Sequence, residues 1–232
     1  VNIGYAAGAA ATVRYDFDGA TEIVSNTSTT FSNVANLTID GDATYAVDLV
    51  SLTGGAALRT LTLAVGLSPI DTGAITSSGM TTLTSVGTTG ATTIDTIGAA
   101  TSTAALTTLS LTSTTGAIGL GAVTADALTT MTVTSTTGAQ TIAAVTSAAL
   151  TDLTLESTTG AITQTGTIAG DALINYSAES TTGALTLGAV TTGVTASNPL
   201  KTYAVTTTTG NVVSTGAITA TAGVAAASMT SY

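Results

Sequence analysis

The chain has 232 residues, of which 44% are hydrophobic, 7% charged and 3% aromatic, with a formal net charge of −10 and neither Cys nor His. A typical soluble domain carries about 25% charged residues, so threonine, serine and small residues must make this surface. Thirteen acids against three bases (Arg14, Arg59, Lys201) exclude the clustered cations of a nucleic-acid binder, and the missing Cys and His exclude disulfides, thiol nucleophiles and the commonest zinc ligands.

In chain order, residues 1–33 come first and do not show the repeat that fills the remainder. The opening "VNIGYAAGAAATVRYDFDG" has no initiator Met and no basic region ahead of its Ala-rich run, so it does not read as an intact signal peptide. No stretch of the chain reaches the roughly 18 apolar residues of a membrane span. "VRYDFDGATEIV" (Val13 to Val24) alternates and predicts a strand, a turn at Asp18-Gly19 and a second strand. Two readings stay open for the segment: a cap that closes one end of a repeat array, or a segment that pairs with a neighbouring subunit. Tyr5, Tyr15 and Phe17 are the candidate contacts of the second reading.

From Val34 to the last residue a phrase recurs. "LTSTTGAIGLGAV" at Leu111 is followed by "VTSTTGAQTIAAV" at Val133 and "LESTTGAITQTGTI" at Leu155. The Thr-Thr-Gly glycines are Gly90, Gly116, Gly138, Gly160, Gly183 and Gly210, spaced 26, 22, 22, 23 and 27 residues apart. Each follows an anchor of the form apolar-x-x-apolar-x-apolar, cleanest in "LTTLSL" at Leu106, "LTTMTV" at Leu128 and "LTDLTL" at Leu150. "VANLTI" at Val34, "LRTLTL" at Leu58, "LINYSA" at Leu173 and "LKTYAV" at Leu200 fit the same form, whereas "MTTLTS" at Met80 fits less well.

Repeats of this length mark solenoids or arrays. Thr, Val, Ile and Gly favour strands and turns over helices. Leu109-Ser110-Leu111-Thr112 and Ile118-Gly119-Leu120 alternate with the period of two that belongs to a half-buried strand. The expected fold is therefore all-β: a parallel β-solenoid over 34–232, with rungs of roughly 22 to 29 residues and an N-terminal β cap. Stacking would place Leu109 over Met131, Leu153, Tyr176 and Tyr203, and Leu111 over Val133, Leu155, Ala178 and Val205. Ile118, Ile162 and Leu185 would share a column that Gln140 interrupts, with a local slip of register expected there. The glycines would serve corners that need positive φ or that have no room for a side chain. Insertions such as "GVTASNP" would form loops on the flank, suited to lateral contacts. The alternative fold is an antiparallel β-sandwich with Thr-Thr-Gly at its hairpin turns.

Carboxylates are the only groups from which a site can be assembled. Glu156 and Glu179 occupy equivalent places in consecutive copies, so their Cβ atoms are expected about 5 Å apart on the outer face. Such a pair is either solvated surface or a calcium site. Asp40-Gly41-Asp42 and Asp16-x-Asp18-Gly19 are fragments of calcium loops without the full pattern, and Asp40 and Asp42 are carried as weaker metal candidates. No cofactor is expected apart from that calcium. Asn26, Asn36 and Asn175 open Asn-x-Ser/Thr triplets, of which Asn26 is the best placed for glycosylation. No P-loop, dinucleotide motif, Gly-x-Ser-x-Gly elbow or metalloprotease motif occurs, and no catalysis is expected.

In composition and in its Thr-Thr-Gly-Ala strand repeats, the chain resembles bacterial S-layer proteins and related repetitive extracellular assembly proteins and adhesins. The resemblance implies secretion, a cell-surface location, self-association into a lattice or filament, and contact with cell-surface polysaccharide. Many such proteins need calcium, yet no calcium-binding nonapeptide is present here. The expected function is a structural subunit of such an assembly. An adhesin stalk or an ice-binding module is the alternative, although the column Thr112, Thr134, Glu156, Glu179, Thr206 is broken by acids and the rung length varies. A polysaccharide-active enzyme is the third reading, and it lacks the bases that such sites use. At the other end, "MTSY" (Met229 to Tyr232) restates the anchor seen in "LINY" and "LKTY". A rung thus begins there, and an open solenoid end is a template for another subunit or for a continuation of the same polypeptide. Met229 and Tyr232 join the N-terminal aromatics as the expected assembly interface.

Overall fold

The computed structural model describes residues 2–4, 11–16, 23–25, 28–41, 46–98, 105–193 and 200–220. All regular structure among them is β-strand, gathered into a nine-stranded and a 17-stranded sheet. Every pairing between these strands is parallel. One copy runs through Thr130–Ser135, Gln140–Ile142 and Val145–Ser147, and the next through Asp152–Ser157, Ile162–Gln164 and Ile168–Gly170. Each strand lies on its own equivalent one copy later. The chain therefore winds as a β-solenoid with three strand-bearing sides, and the antiparallel sandwich is ruled out.

The core is a set of columns along the rod. Leu109 stacks on Met131, Leu153, Tyr176 and Tyr203, and Leu111 on Val133, Leu155, Ala178 and Val205, as the anchors predict. The first residue of each anchor is also buried, from Val34 and Leu58 through Met80 to Leu200. The irregular "MTTLTS" copy follows the pattern too. Its Ser85 points inward and exchanges a hydrogen bond of 3.0 Å with Thr92.

Gln140 sits in the column Ile118, Gln140, Ile162, Leu185, and the register does not slip around it. Its Nε2 donates to the Glu156 carbonyl and, at 3.0 Å, to Ser135 Oγ, so the buried amide is anchored instead of displaced.

The corners explain the repeated phrase. The residue three before the Thr-Thr-Gly glycine is Ser113, Ser135, Ser157, Ser180 or Thr207 in the copies from Gly116 to Gly210, all buried and in register with one another, and Gly87 in the copy of Gly90. Ser180 Oγ and Thr207 Oγ1 accept from the N–H of Gly183 and Gly210 at 2.9 Å, and Ser135 Oγ donates to the Gly138 carbonyl at 2.7 Å. The glycines are required for want of room and not for positive φ. A Cβ on Gly138 would run into the carbonyl of Gly116, and one on Gly160 into that of Gly138. Among the described glycines only Gly73 and Gly98 have positive φ.

Toward the N-terminus, Ala11–Asp16 pairs with the strand from Val34, Ile23–Ser25 with Val47–Leu49, and Thr29–Ser32 with Ser51–Gly54. The two strands predicted within Val13 to Val24 thus each join the solenoid ladder of the following copy. The inserted segments 99–104 and 194–199 lie outside the described residues.

Candidate functional site

The outer face of the nine-stranded sheet carries three columns of alternate residues, because successive side chains of a strand point to opposite sides. The column nearest the corner reads Ala64, Val86, Thr112, Thr134, Glu156, Glu179, Thr206, so the two glutamates are direct neighbours on adjacent strands, as expected. Both are exposed. They border a shallow groove of about 320 Å³ whose walls are hydroxyl-bearing: Thr134, Thr158, Thr181, Thr206 and Thr208 with the corner serines. Ser177 Oγ donates to Glu179 Oε1 at 3.1 Å. Oxygen ligands of this kind suit a hard cation such as calcium. The groove has neither a base nor an aromatic ring among its lining residues, so it offers no platform for a sugar and no acid–base partner of opposite sign.

Among the described residues no cluster of three or more Asp, Glu, His or Cys occurs. Asp40 lies on the strand Val34–Gly41, far along the ladder from Glu156. Asp42 lies outside the described residues, as do Asn26, Tyr5, Phe17, Met229 and Tyr232. Tyr15 is in the strand Ala11–Asp16, opposite Ile39. Asn36 and Asn175 lie within strands.

Asn175 has a partner that sequence alone did not reveal. Its Nδ2 donates to Asp152 Oδ1 at 2.6 Å, and Thr151 Oγ1 donates to Asp152 Oδ2 at 2.7 Å. These bonds, that from Asn175 foremost, hold the Asp152 carboxyl below its ordinary 3.8. A buried tyrosine–amide contact lies in the core: Tyr176 Oη donates to Gln164 Oε1 at 2.7 Å, and its ring stacks on Tyr203 with centroids 4.9 Å apart.

No family model, curated protein or solved structure matches the chain. What it does must therefore be read from its own surfaces.

The middle and far columns of the same face are those that the sequence reading passed over. They pair Thr60 with Thr62, Thr82 with Thr84, Thr108 with Ser110 and Thr130 with Thr132, rung upon rung. The signal was present in the anchors, as the hydroxyl residues on either side of the middle apolar position. It is masked by the corner column, whose Glu156 and Glu179 interrupt the hydroxyls of the same face.

Proposed function

We propose that the chain is a structural subunit of an extracellular or cell-surface assembly, a lattice or filament built by self-association through solenoid ends and flanks. It works without catalysis, and its partner is a further copy of itself, with cell-surface polysaccharide as the surface on which the assembly lies. The observation that carries this reading is at the last described copy. Val212 and Ile218 continue columns whose preceding members, Leu185 and Val190, are fully buried, yet they are 47% and 37% exposed. Val213 beside them is 51% exposed. An apolar strip exposed on a parallel ladder favours a further rung stacked on it, of another copy or of the chain beyond the described residues. Unlike ends that meet without closing a ring give a linear polymer.

Negative-stain microscopy of the purified protein tests this. Filaments or sheets are expected, and V212D/I218D should reduce them to isolated rods while leaving the far-UV spectrum unchanged. Isolated rods from the unmodified chain at high concentration would overturn the reading.

A further inference from the structure

The threonines of this rod fall into two sets. In one the hydroxyl is used by the fold: Thr81, Thr107 and Thr129 each donate Oγ1 to the carbonyl one copy back, at 3.0 to 3.1 Å. In the other set the hydroxyl is left over. From Thr60 and Thr62 to Thr130 and Thr132, the two outward columns bond no other protein atom among the described residues. Stacked threonines do bond one another elsewhere on this rod, where Thr76 Oγ1 donates to Thr53 Oγ1 at 3.3 Å. Those of the two columns do not, and so they must be satisfied by water.

These hydroxyls inherit the order of the ladder. The register of this sheet is unbroken from the strand Thr60–Val65 to the strand Thr202–Thr207, six residues against six. The longer repeat between Gly90 and Gly116 leaves Thr82–Gly87 and Thr108–Ser113 in step, because its insertion lies elsewhere in the copy. Hydroxyls therefore recur about 4.8 Å apart along the rod and about 6.6 Å apart across each strand. The β-branched side chain is stiff at χ1, which fixes both the methyl and the hydroxyl. A two-dimensional net of fixed donors and acceptors is complementary to another net of similar period, and not to a single small ligand.

We infer that this face binds ice, the crystalline form of the water that its hydroxyls would bond. Charge agrees with that occupant. The chain carries −10, yet the two columns hold no charge from Thr60 to Thr132 and only Asp152 beyond. Ice is neutral and brings no counterions, so a face without charge holds no ion-bound water that ice would have to displace. A crystalline polysaccharide would be met by aromatic platforms, and the columns contain none. Glu156 and Glu179 lie in the column to one side of the array, on the two rungs that follow Thr130 and Thr132. Weak contacts repeated over at least four rungs act together, since each further one is made intramolecularly. This binding function goes beyond the assembly reading and does not depend on it.

The test uses the purified full chain in two assays, the gap between melting and freezing points and the faceting of single ice crystals. A measurable gap and faceted crystals are expected. T84K/T132K should reduce the gap at least tenfold at equal concentration, whereas T141K/T163K, with the same added charge on the other sheet, should retain it. Circular-dichroism melts check that each variant folds. Should T84K/T132K fail to fold, T108Y raises a ring over the array without adding charge and should give the same loss. Absence of a gap in the unmodified protein, an unchanged gap in the face variants, or equal loss in the control would overturn the inference. So would co-sedimentation with crystalline cellulose, or face-to-face dimers, abolished by T84K/T132K in a protein that leaves ice growth unaltered. Microscopy of T84K/T132K separates the two proposals, because filaments should persist when ice binding is gone.

Discussion

Leu153 and Thr154 are chain neighbours with opposite surroundings, the first 1% exposed between Met131 and Tyr176, the second on the outer face between Thr132 and Ser177. Leu153→Asp should lower stability by roughly 3 to 5 kcal/mol, because it leaves an unpaired charge among apolar neighbours. Thr154→Asp should change it by about 0.5 kcal/mol or less. Equal losses in parallel thermal melts would reverse the inside and outside of the rung. Tyr176 adds a dependence on pH. Burial, and then the neighbouring Tyr203, push its hydroxyl well above the ordinary 10. The native state therefore keeps a proton that the unfolded chain gives up, so stability holds below about pH 10 and falls as pH rises past it. Tyr176→Phe should flatten that alkaline limb while costing about 1 to 3 kcal/mol at neutral pH, since Gln164 Oε1 loses its donor. An alkaline limb unchanged in the variant would assign the effect to another group.

At the scale of a strand, the pairing of Asp152–Ser157 with Asn175–Ser180 brings Glu156 against Glu179. Like charges directly opposite are destabilising by roughly 0.2 to 1 kcal/mol. E156Q/E179Q should therefore raise the melting temperature in chelator. We propose that calcium is shared between the two carboxylates. Added calcium should then raise the melting temperature of the unmodified protein, by the equivalent of about 2.7 kcal/mol at one hundred times the dissociation constant. The double variant should not respond. Identical melts in chelator and in calcium would remove the site. This pairing was legible in the sequence because both glutamates hold the same place in the copy, four residues before the Thr-Thr-Gly glycine. The columns of Leu109 and Leu111 were legible for the same reason. Register at Gln140 was not, since a polar residue in an apolar column looks like a fault until Ser135 and the Glu156 carbonyl are seen beside it. Nor was the reason for the glycines, because the obstacle is the carbonyl of another copy and no local rule reports it. The free and used threonines were indistinguishable by residue type, and only their hydrogen bonds separate them.

For the whole molecule, the parallel ladders mean that backbone hydrogen bonds lie along the rod and strands lie across it. Each copy touches chiefly the copies before and after it, so stability grows with their number, and among the described strands no distant pairing closes the structure. This arrangement also fixes how the rod bears load. A pull along its axis opposes the hydrogen bonds of one interface at a time, on all three sides together. Once an interface gives way, the copy it held is free. A freed copy of 22 residues, the spacing of Gly116 and Gly138, pays out about 75 Å of extended chain while the interface behind it stays closed. Stretched in this way, the rod behaves as a shock absorber: it yields copy by copy, in steps as unequal as the 22 to 27 residues between its glycines, while the copies still wound go on bearing the load.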